Sequence, residues 1–179
     1  MSATISLTEV QVLTALRTFL LSIMQSGVEV IRAEINRVPE PEGSDFLIMT
    51  PTLRGRIGTN VDTYSGTIDS APLTLLNVEQ STQTTVQIDI HGPNGAENAQ
   101  IVSSLLRDYY ACASFASSGF AVQPLYASDP IQTPFINGEQ QYEFRWTVDA
   151  VLQANPVVTV IQQFADTLTP TLIEADALS

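Results

Sequence analysis

QYEFRWTVDAV, residues 141–151, alternates without interruption. Tyr142, Phe144, Trp146 and Val148 fall on one side, and Glu143, Arg145, Thr147 and Asp149 on the other. A period of two belongs to a strand with one buried face. The reading predicts a strand over 140–151 whose aromatic side packs into a core. It lies inside FAVQPLYASDPIQTPFINGEQQYEFRWTVDAVLQANPVVTVIQQFAD, residues 120–166. A first strand over 120–126 leads into a polar loop over 127–139, rich in Pro, Asp, Asn and Gln. The aromatic strand follows, then a break at Asn155-Pro156 and a last apolar strand over 157–164. Nothing here has the residue pattern of a catalytic site. Paired strands carrying a long acidic loop suit a part that fits other parts.

Upstream, Ser6-Leu7-Thr8-Glu9 has the form of a capping box, with Ser6 capping and Glu9 reaching back. The helix behind it runs to about Gln25. Val12, Leu13, Leu16, Phe19, Leu20 and Ile23 recur at helical spacing as one apolar stripe, and Gly27 closes it. Residues 28–38 read as a strand, 39–43 as a stiff acidic turn and 45–52 as the returning strand of a hairpin. The pattern over 53–67 is weak and fits either a continued strand or a loop. Strands follow over 74–78 and 84–90. Gly92-Pro93-Asn94-Gly95 stops the second of these. Asn94 then caps a second helix, with Glu97 three residues on. Its stripe is Ile101, Val102, Leu105, Leu106, Tyr109 and Ala113, and Gly119 ends it. Residues 1–7 read as a loose arm and 167–179 as a polar, acidic tail. Helices and strands do not alternate regularly. That order predicts an α+β fold, a mainly antiparallel sheet with two helices packed on one face. No repeat or interior linker divides the chain, so one domain over 1–179 is expected.

The bulk numbers agree with a globular domain. A chain of 179 residues hides about 70% of its unfolded surface on folding, so no metal or disulfide staple is required. The apolar share is 44% and the charged share 15%, a folded composition. Mean hydropathy is +0.13, which leaves room for apolar subunit contacts. Nineteen acidic residues face seven arginines, with no lysine, for a net charge of −12. Such a chain is repelled by nucleic-acid phosphates and by anionic membrane surfaces. Arginine is the cation suited to bidentate pairing with carboxylates at interfaces. Cys112 is the single cysteine, so a reducing compartment is expected. No signal-peptide pattern opens the sequence, and its longest apolar stretch, residues 10–24, is too short and too polar to span a bilayer.

The residues offer little chemistry. His91 is the only histidine, which excludes sites built on several imidazoles. Asp89 sits two residues away on the same strand face, so a small acidic hydrolase using Asp89 and His91 is one reading; no nucleophile elbow completes it. The plainer account is a polar strand face ending in a turn. Cys112 has no neighbouring base in sequence and reads as a small buried packing residue. Gly92-Pro93-Asn94-Gly95 before a helix suits an anion only in the generic sense. Asp129 and Glu139 form a chance carboxylate pair as readily as a glycosidase pair. Tyr142, Phe144 and Trp146 read as core aromatics before a base-stacking or ligand platform. Arg54-Gly55-Arg56 is the densest positive spot; it fits a protein partner's carboxylates, a solvated turn or, less well given the net charge, DNA phosphate.

Three stretches carry a resemblance. NRVPEPEGSDFLIMTP (36–51), TTVQIDIHGPNGAENAQIVSSLLRDYYA (84–111) and PLYASDPIQTPFINGEQQYEFRWTVDAVLQANPVVTVIQQFAD (124–166) resemble the neck, or tail-terminator, proteins of contractile tailed bacteriophages, over about residues 13–168. The GPN turn before the second helix, the NGEQQYE loop exit and the LQANPVV break occur in the same order. The segment between Tyr64 and Leu75 is short against that family, so contacts made there are not carried over. The resemblance implies a tail-terminator-like α+β subunit that assembles with itself as a ring, usually a hexamer. The ring would sit at the top of the tail, between the head–tail connector protein and the tail tube or sheath protein. It would end tube growth, and genomic DNA would pass through its lumen without specific binding. No enzymatic activity, cofactor or membrane partner is implied, and the place of action is the virion after assembly in the host bacterial cytoplasm. The expected contact elements are Arg54 and Arg56; the turn with Pro39, Glu40, Pro41 and Glu42; the loop with Asp129, Pro130, Asn137 and Glu139; and the acidic tail. A tail-tube or connector subunit of the same apparatus is the neighbouring reading.

Overall fold

The computed structural model describes residues 2–33, 41, 43–66, 74–136 and 142–162. In chain order the elements are β1 (Thr4–Ile5), α1 (Glu9–Ile23), β2 (Glu29–Arg32), β3 (Phe46–Arg56), β4 (Val61–Ser65), β5 (Thr74–Glu79) and β6 (Thr82–His91). They continue with α2 (Gly95–Leu106), α3 (Tyr109–Ala116), β7 (Val122–Ala127), β8 (Ile131–Gln132), β9 (Phe135–Ile136), β10 (Tyr142–Glu143), β11 (Arg145–Ala154) and β12 (Val157–Gln162). The class is α+β, as expected. A six-stranded sheet runs in the order β2-β3-β6-β11-β7, with β8 beside β11; a four-stranded sheet runs β1-β12-β5-β4; β9 and β10 form a separate pair.

Alternation in the three long strands builds the core. Antiparallel register sets Ile90 between Leu47 and Trp146, Ile88 between Met49 and Val148, and Val86 between Pro51 and Ala150. These rows share one face, because every second side chain of a strand points the same way. The helices cover that face. Leu16, Phe19 and Leu20 of α1, Ala99, Val102 and Leu106 of α2, and Ala111 and Phe115 of α3 are all buried there. The Phe19 and Phe115 rings meet at 5.6 Å, tilted as aromatic pairs prefer. Burying each large apolar side chain is worth roughly 1.5–3 kcal/mol.

Local differences from the expected elements have identifiable causes. Helix α1 starts at a second capping box one turn-fraction later: Thr8 N–H donates to Gln11 Oε1 at 2.7 Å, and Gln11 N–H donates to Thr8 Oγ1. Ser6 is used elsewhere, exchanging bonds with Val157 at 3.0 and 2.9 Å. Residues 4–7 are therefore tied down instead of loose: β1 pairs with β12, and Leu7 is buried. The helix ends at Met24, and Gly27, at φ +95°, turns the chain into β2. β2 and β3 do not form a hairpin. They pair in parallel, Val30 beside Leu47, which the sequence separation of Arg32 and Phe46 allows, since a parallel pair needs about a dozen connecting residues. Of the weakly patterned 53–67 region, residues 53–56 continue β3 and 61–65 form β4, and residue 67 lies outside the described residues.

The single expected helix over 95–118 is two helices. Asp108 breaks it: its backbone is extended and its carboxylate accepts the Tyr110 N–H at 2.8 Å, a standard N-cap. The stripe therefore changes face. Val102 and Leu106 are buried, but past the break the core takes Ala111 and Phe115, leaving Tyr109 and Ala113 exposed. Asn94 stands at the N-cap of α2 without a side-chain cap bond. Its amide instead donates to Asp45 Oδ2 at 2.8 Å while its N–H donates to Asp45 Oδ1 at 3.0 Å. This clamp joins the start of β3 to the end of β6 across Gly92. Gly92 has φ +108°, and a Cβ there would collide with the Ser44 carbonyl and the Asp45 carboxylate. Gly92→Ala is expected to lose about 2 kcal/mol from strain and the displaced clamp, lowering the melting temperature by roughly 4–8 °C. An unchanged melting curve would show that the clamp does not constrain the fold.

Candidate assembly interface

The three central strands do not stop at the edge of the core sheet. β3 leads to β4, β5 leads to β6 and β11 leads to β12, and strand order is kept: β3-β6-β11 in the core sheet, β4-β5-β12 in the second. All three break at one level. There Ile57 N–H donates to Ser81 O and Gln80 N–H donates to Pro156 O. The second sheet is thus an extension of the first, with β1 added at its β12 side.

Register sorts the extension's residues by face. Ile5, Tyr64, Leu76, Val78, Val158 and Val160 share one side with Asp62, Thr74 and Gln162. The other side carries Thr63, Asn77, Glu79 and Thr159 among its apolar residues, with Thr159 Oγ1 donating to Asn77 Oδ1 at 2.8 Å. Core helices pack on the six-stranded sheet, and among the described residues none of them lies along this extension. Its residues are half-buried or exposed throughout. A sheet face rich in apolar residues without a covering helix layer is the surface type that marks protein contacts.

Arg54 and Arg56 lie at the base of this extension, on the last residues of β3, and both are exposed. They sit opposite Thr84 and Thr82, so they extend the helix-covered face beyond the helices. The other described arginines are engaged within the chain. Arg17 donates to Val30 O, Arg32 pairs with Glu9, Arg107 pairs with Asp129, and Arg145 donates to Thr133 and approaches Asp89. Among the described residues Arg54 and Arg56 are the two arginines outside such contacts.

The loop expected over 127–139 is only partly a loop. Ser128 N–H donates to Asp149 O and Asp149 N–H donates to Ser128 Oγ, at 2.9 and 2.8 Å; β8 then lies beside β11. Asp129 is an exposed partner of Arg107 at 2.8 Å, a contact of the class worth at most about 1 kcal/mol. Pro130 and Pro41 are half-buried. Pro39, Glu40, Glu42, Asn137 and Glu139, and the tail over 167–179, lie outside the described residues. The aromatic strand needs correction. Tyr142 belongs to the β9–β10 pair, β11 begins at Arg145, and Tyr142 and Phe144 are 81% and 64% exposed. Only Trp146 and Val148 of the four turn into the core. Tyr142 and Phe144, with Ile131 and Ile136, are instead exposed, and Tyr142 pairs with Ile136.

Asp89 and His91 do share the outer face but serve different partners. Asp89, 8% exposed, accepts from Thr147 Oγ1 at 2.8 Å and from Gln87 Nε2 at 3.0 Å. His91 Nδ1 lies 3.0 Å from Glu143 Oε1, and its ring stacks on Phe46 at 4.6 Å. These bonds satisfy buried polar groups. Cys112 is half-buried instead of buried. Among the described residues no group of three or more His, Cys, Asp or Glu side chains is placed to hold a metal, and no helix is long and apolar enough to cross a membrane. The extension was missed from sequence because its strands alternate like core strands. The one available signal was a surplus of apolar strands over the area that the helices can cover.

A family model described as phage neck terminator protein matches residues 10–176. The match takes in most of the chain, which therefore belongs to that family. No curated protein matches it. The family is a structural one of the bacteriophage neck, so the protein is a virion component that meets other virion proteins. Because Tyr142 and Phe144 stand outside the core, Tyr142→Ser with Phe144→Ser is expected to shift stability by no more than about 0.5 kcal/mol per site. A denaturant midpoint lowered as for a core truncation would restore them to the interior.

Proposed function

We propose that this neck terminator assembles as a closed ring of six copies at the top of a contractile phage tail, where it ends the tail tube. One face of the ring meets the tube or sheath and the other the head–tail connector, after assembly in the host bacterial cytoplasm. The whole chain works as one terminator domain. The observation that carries the reading is the extension sheet, whose apolar-rich strands no helix of the described residues covers, on a chain whose family is that of the phage neck terminator. Contacts that repeat head to tail and close on themselves make a ring.

Charge supports a lumen that lets DNA pass. Six copies carry a formal −72, six times the −12 of one chain, and that field repels phosphates instead of holding them. The contact elements of the ring are the extension, Arg54 and Arg56, the turn over 39–44, the loop over 127–139 and the tail over 167–179. The arginines face the acidic surface of a neighbouring subunit, where guanidinium–carboxylate pairs set register and partner.

Light scattering of the purified protein, alone and with tail tubes, tests the stoichiometry. A mass near six chains, and single rings in negative stain, are expected. Stacked tubes would assign the chain to the tube instead. Arg54→Glu combined with Arg56→Glu is expected to weaken assembly at least tenfold while leaving the melting temperature of the subunit close to that of the parent. Rings of unchanged strength and an unchanged phage yield would remove both arginines from the interface.

A further inference from the structure

The six-stranded core sheet ends in β2 on one side and in β7 on the other. The N–H and C=O of one residue point to one side of its strand, and those of the next residue to the other. Ala33 N–H donates to Met49 O at 2.9 Å across the β2–β3 pair, so Val30, three residues earlier, turns its backbone groups outward. At the end of β7, Ser128 N–H donates to Asp149 O at 2.9 Å, so Ala127 faces outward there. At its start, Asn155 N–H donates to Ala121 O at 3.4 Å, so Val122 and Pro124 face outward too. Outward N–H and C=O groups on the last strand of a sheet are a template for a strand of another chain.

At both ends of the sheet an arginine from the helix layer occupies the outward carbonyl. Arg17 of α1 donates from Nε to Val30 O at 2.8 Å, and Arg107, at the C-cap of α2, donates from Nε to Ala127 O at 2.8 Å. Both bonds are half-buried, and Asp129 holds the Arg107 guanidinium from its far side. A donor seated on that oxygen takes the place of the N–H that an added strand would bring. The rest of the β7 edge is blunted as well. Val122 N–H is used by Phe120 O at 2.8 Å, and Pro124 has no N–H to give. β2 is only four residues long, and short outer strands make poor templates.

We propose that Arg17 and Arg107 are edge guards, which close the two outer strands of the core sheet against strand pairing with a second copy of the chain. A second copy is the threat that matters, because an edge open on one chain is open on every copy, and pairing that repeats without closing grows without limit. The guards take the core sheet out of the surfaces through which copies meet. The inference does not need the ring reading, since it concerns the subunit alone. The competing account is that the two bonds only tie α1 and α2 to the sheet. The two accounts differ in what the molecule does when the guanidinium is removed: an anchor lost loosens the fold, whereas a guard lost exposes an edge on a folded subunit.

Arg17→Ala combined with Arg107→Ala tests this on the purified chain. The change makes a net charge of −12 more negative by two, so charge alone predicts less association. The guard predicts more. Light scattering should show species larger than any the parent forms, and the concentration at which they appear should fall about tenfold, the size expected when a covered hydrogen-bonding group is released to a new partner. Infrared spectra of these species should carry the band of intermolecular strands, with the subunit still folded by its near-ultraviolet dichroism. Arg17→Lys with Arg107→Lys, which keeps a donor at each carbonyl, should return the size distribution of the parent. If the double alanine variant does not fold, each single variant carries the same test with one edge uncovered. Folded variants with the parent's sizes at every concentration would overturn the guards. Larger species without the intermolecular strand band would assign both arginines to anchoring and overturn them equally.

Discussion

The structure depends on the hydrogen-bond ladder of one strand. β6 is paired over its whole length on both sides, ten residues against β11 and the same span against β3. Buried backbone N–H and C=O groups must find partners, and here β3 and β11 supply them on either side. A slip of one residue would turn Val86, Ile88 and Ile90 away from the helices and bring Gln87 and Asp89 into the core. Register is thereby fixed by the cost of burying the wrong side chains. The elements proposed for assembly are placed by that register: Arg54 and Arg56 opposite Thr84 and Thr82, and the extension that the same three strands become past the break.

The two faces of the central sheet are held in different ways. The helix side is close-packed hydrocarbon, where several large side chains each contribute kilocalories. The outer side is a polar network in which Asp89, Thr147, Thr133 and Arg145 bond to one another. Such networks add little net stability, but leaving one member unpaired is costly. They therefore specify the path of the loop after β7 more than they strengthen the fold. The exposed ion pair between Arg107 and Asp129 belongs to a weaker class again.

Much of this was legible in the residues. Alternation located β6 and β11, the 3.6-residue stripe located α1, and the unsorted element order gave the α+β class. What failed did so for local reasons. Period two ran on through Phe144, so a two-residue pair and a ten-residue strand read as one, and Tyr142 and Phe144 were assigned to a core they do not enter. Helical spacing ran on through Arg107-Asp108, although Asp is itself a favoured N-cap residue. The parallel pairing of β2 with β3 carries no local signature, since short edge strands of either direction share one composition. The arginine pair was visible as the densest positive spot. The extension behind it was not, because covering a sheet face is a property of the whole chain and alternation only says that a face exists.

The absence of lysine gains a physical sense from these placements. Lysine is a flexible point charge that meets any carboxylate; arginine meets one in a fixed planar geometry. A chain with many acids and mobile cations would offer many weak self-contacts, most of which do not close into a ring and so favour open chains or aggregates. Here the described arginines are either anchored inside the subunit or gathered on two alternate residues of one strand. In the proposed ring this confines strong attraction between copies to one place on a surface that is otherwise self-repelling. Closure is then favoured by denying the alternatives as much as by the strength of the contact itself.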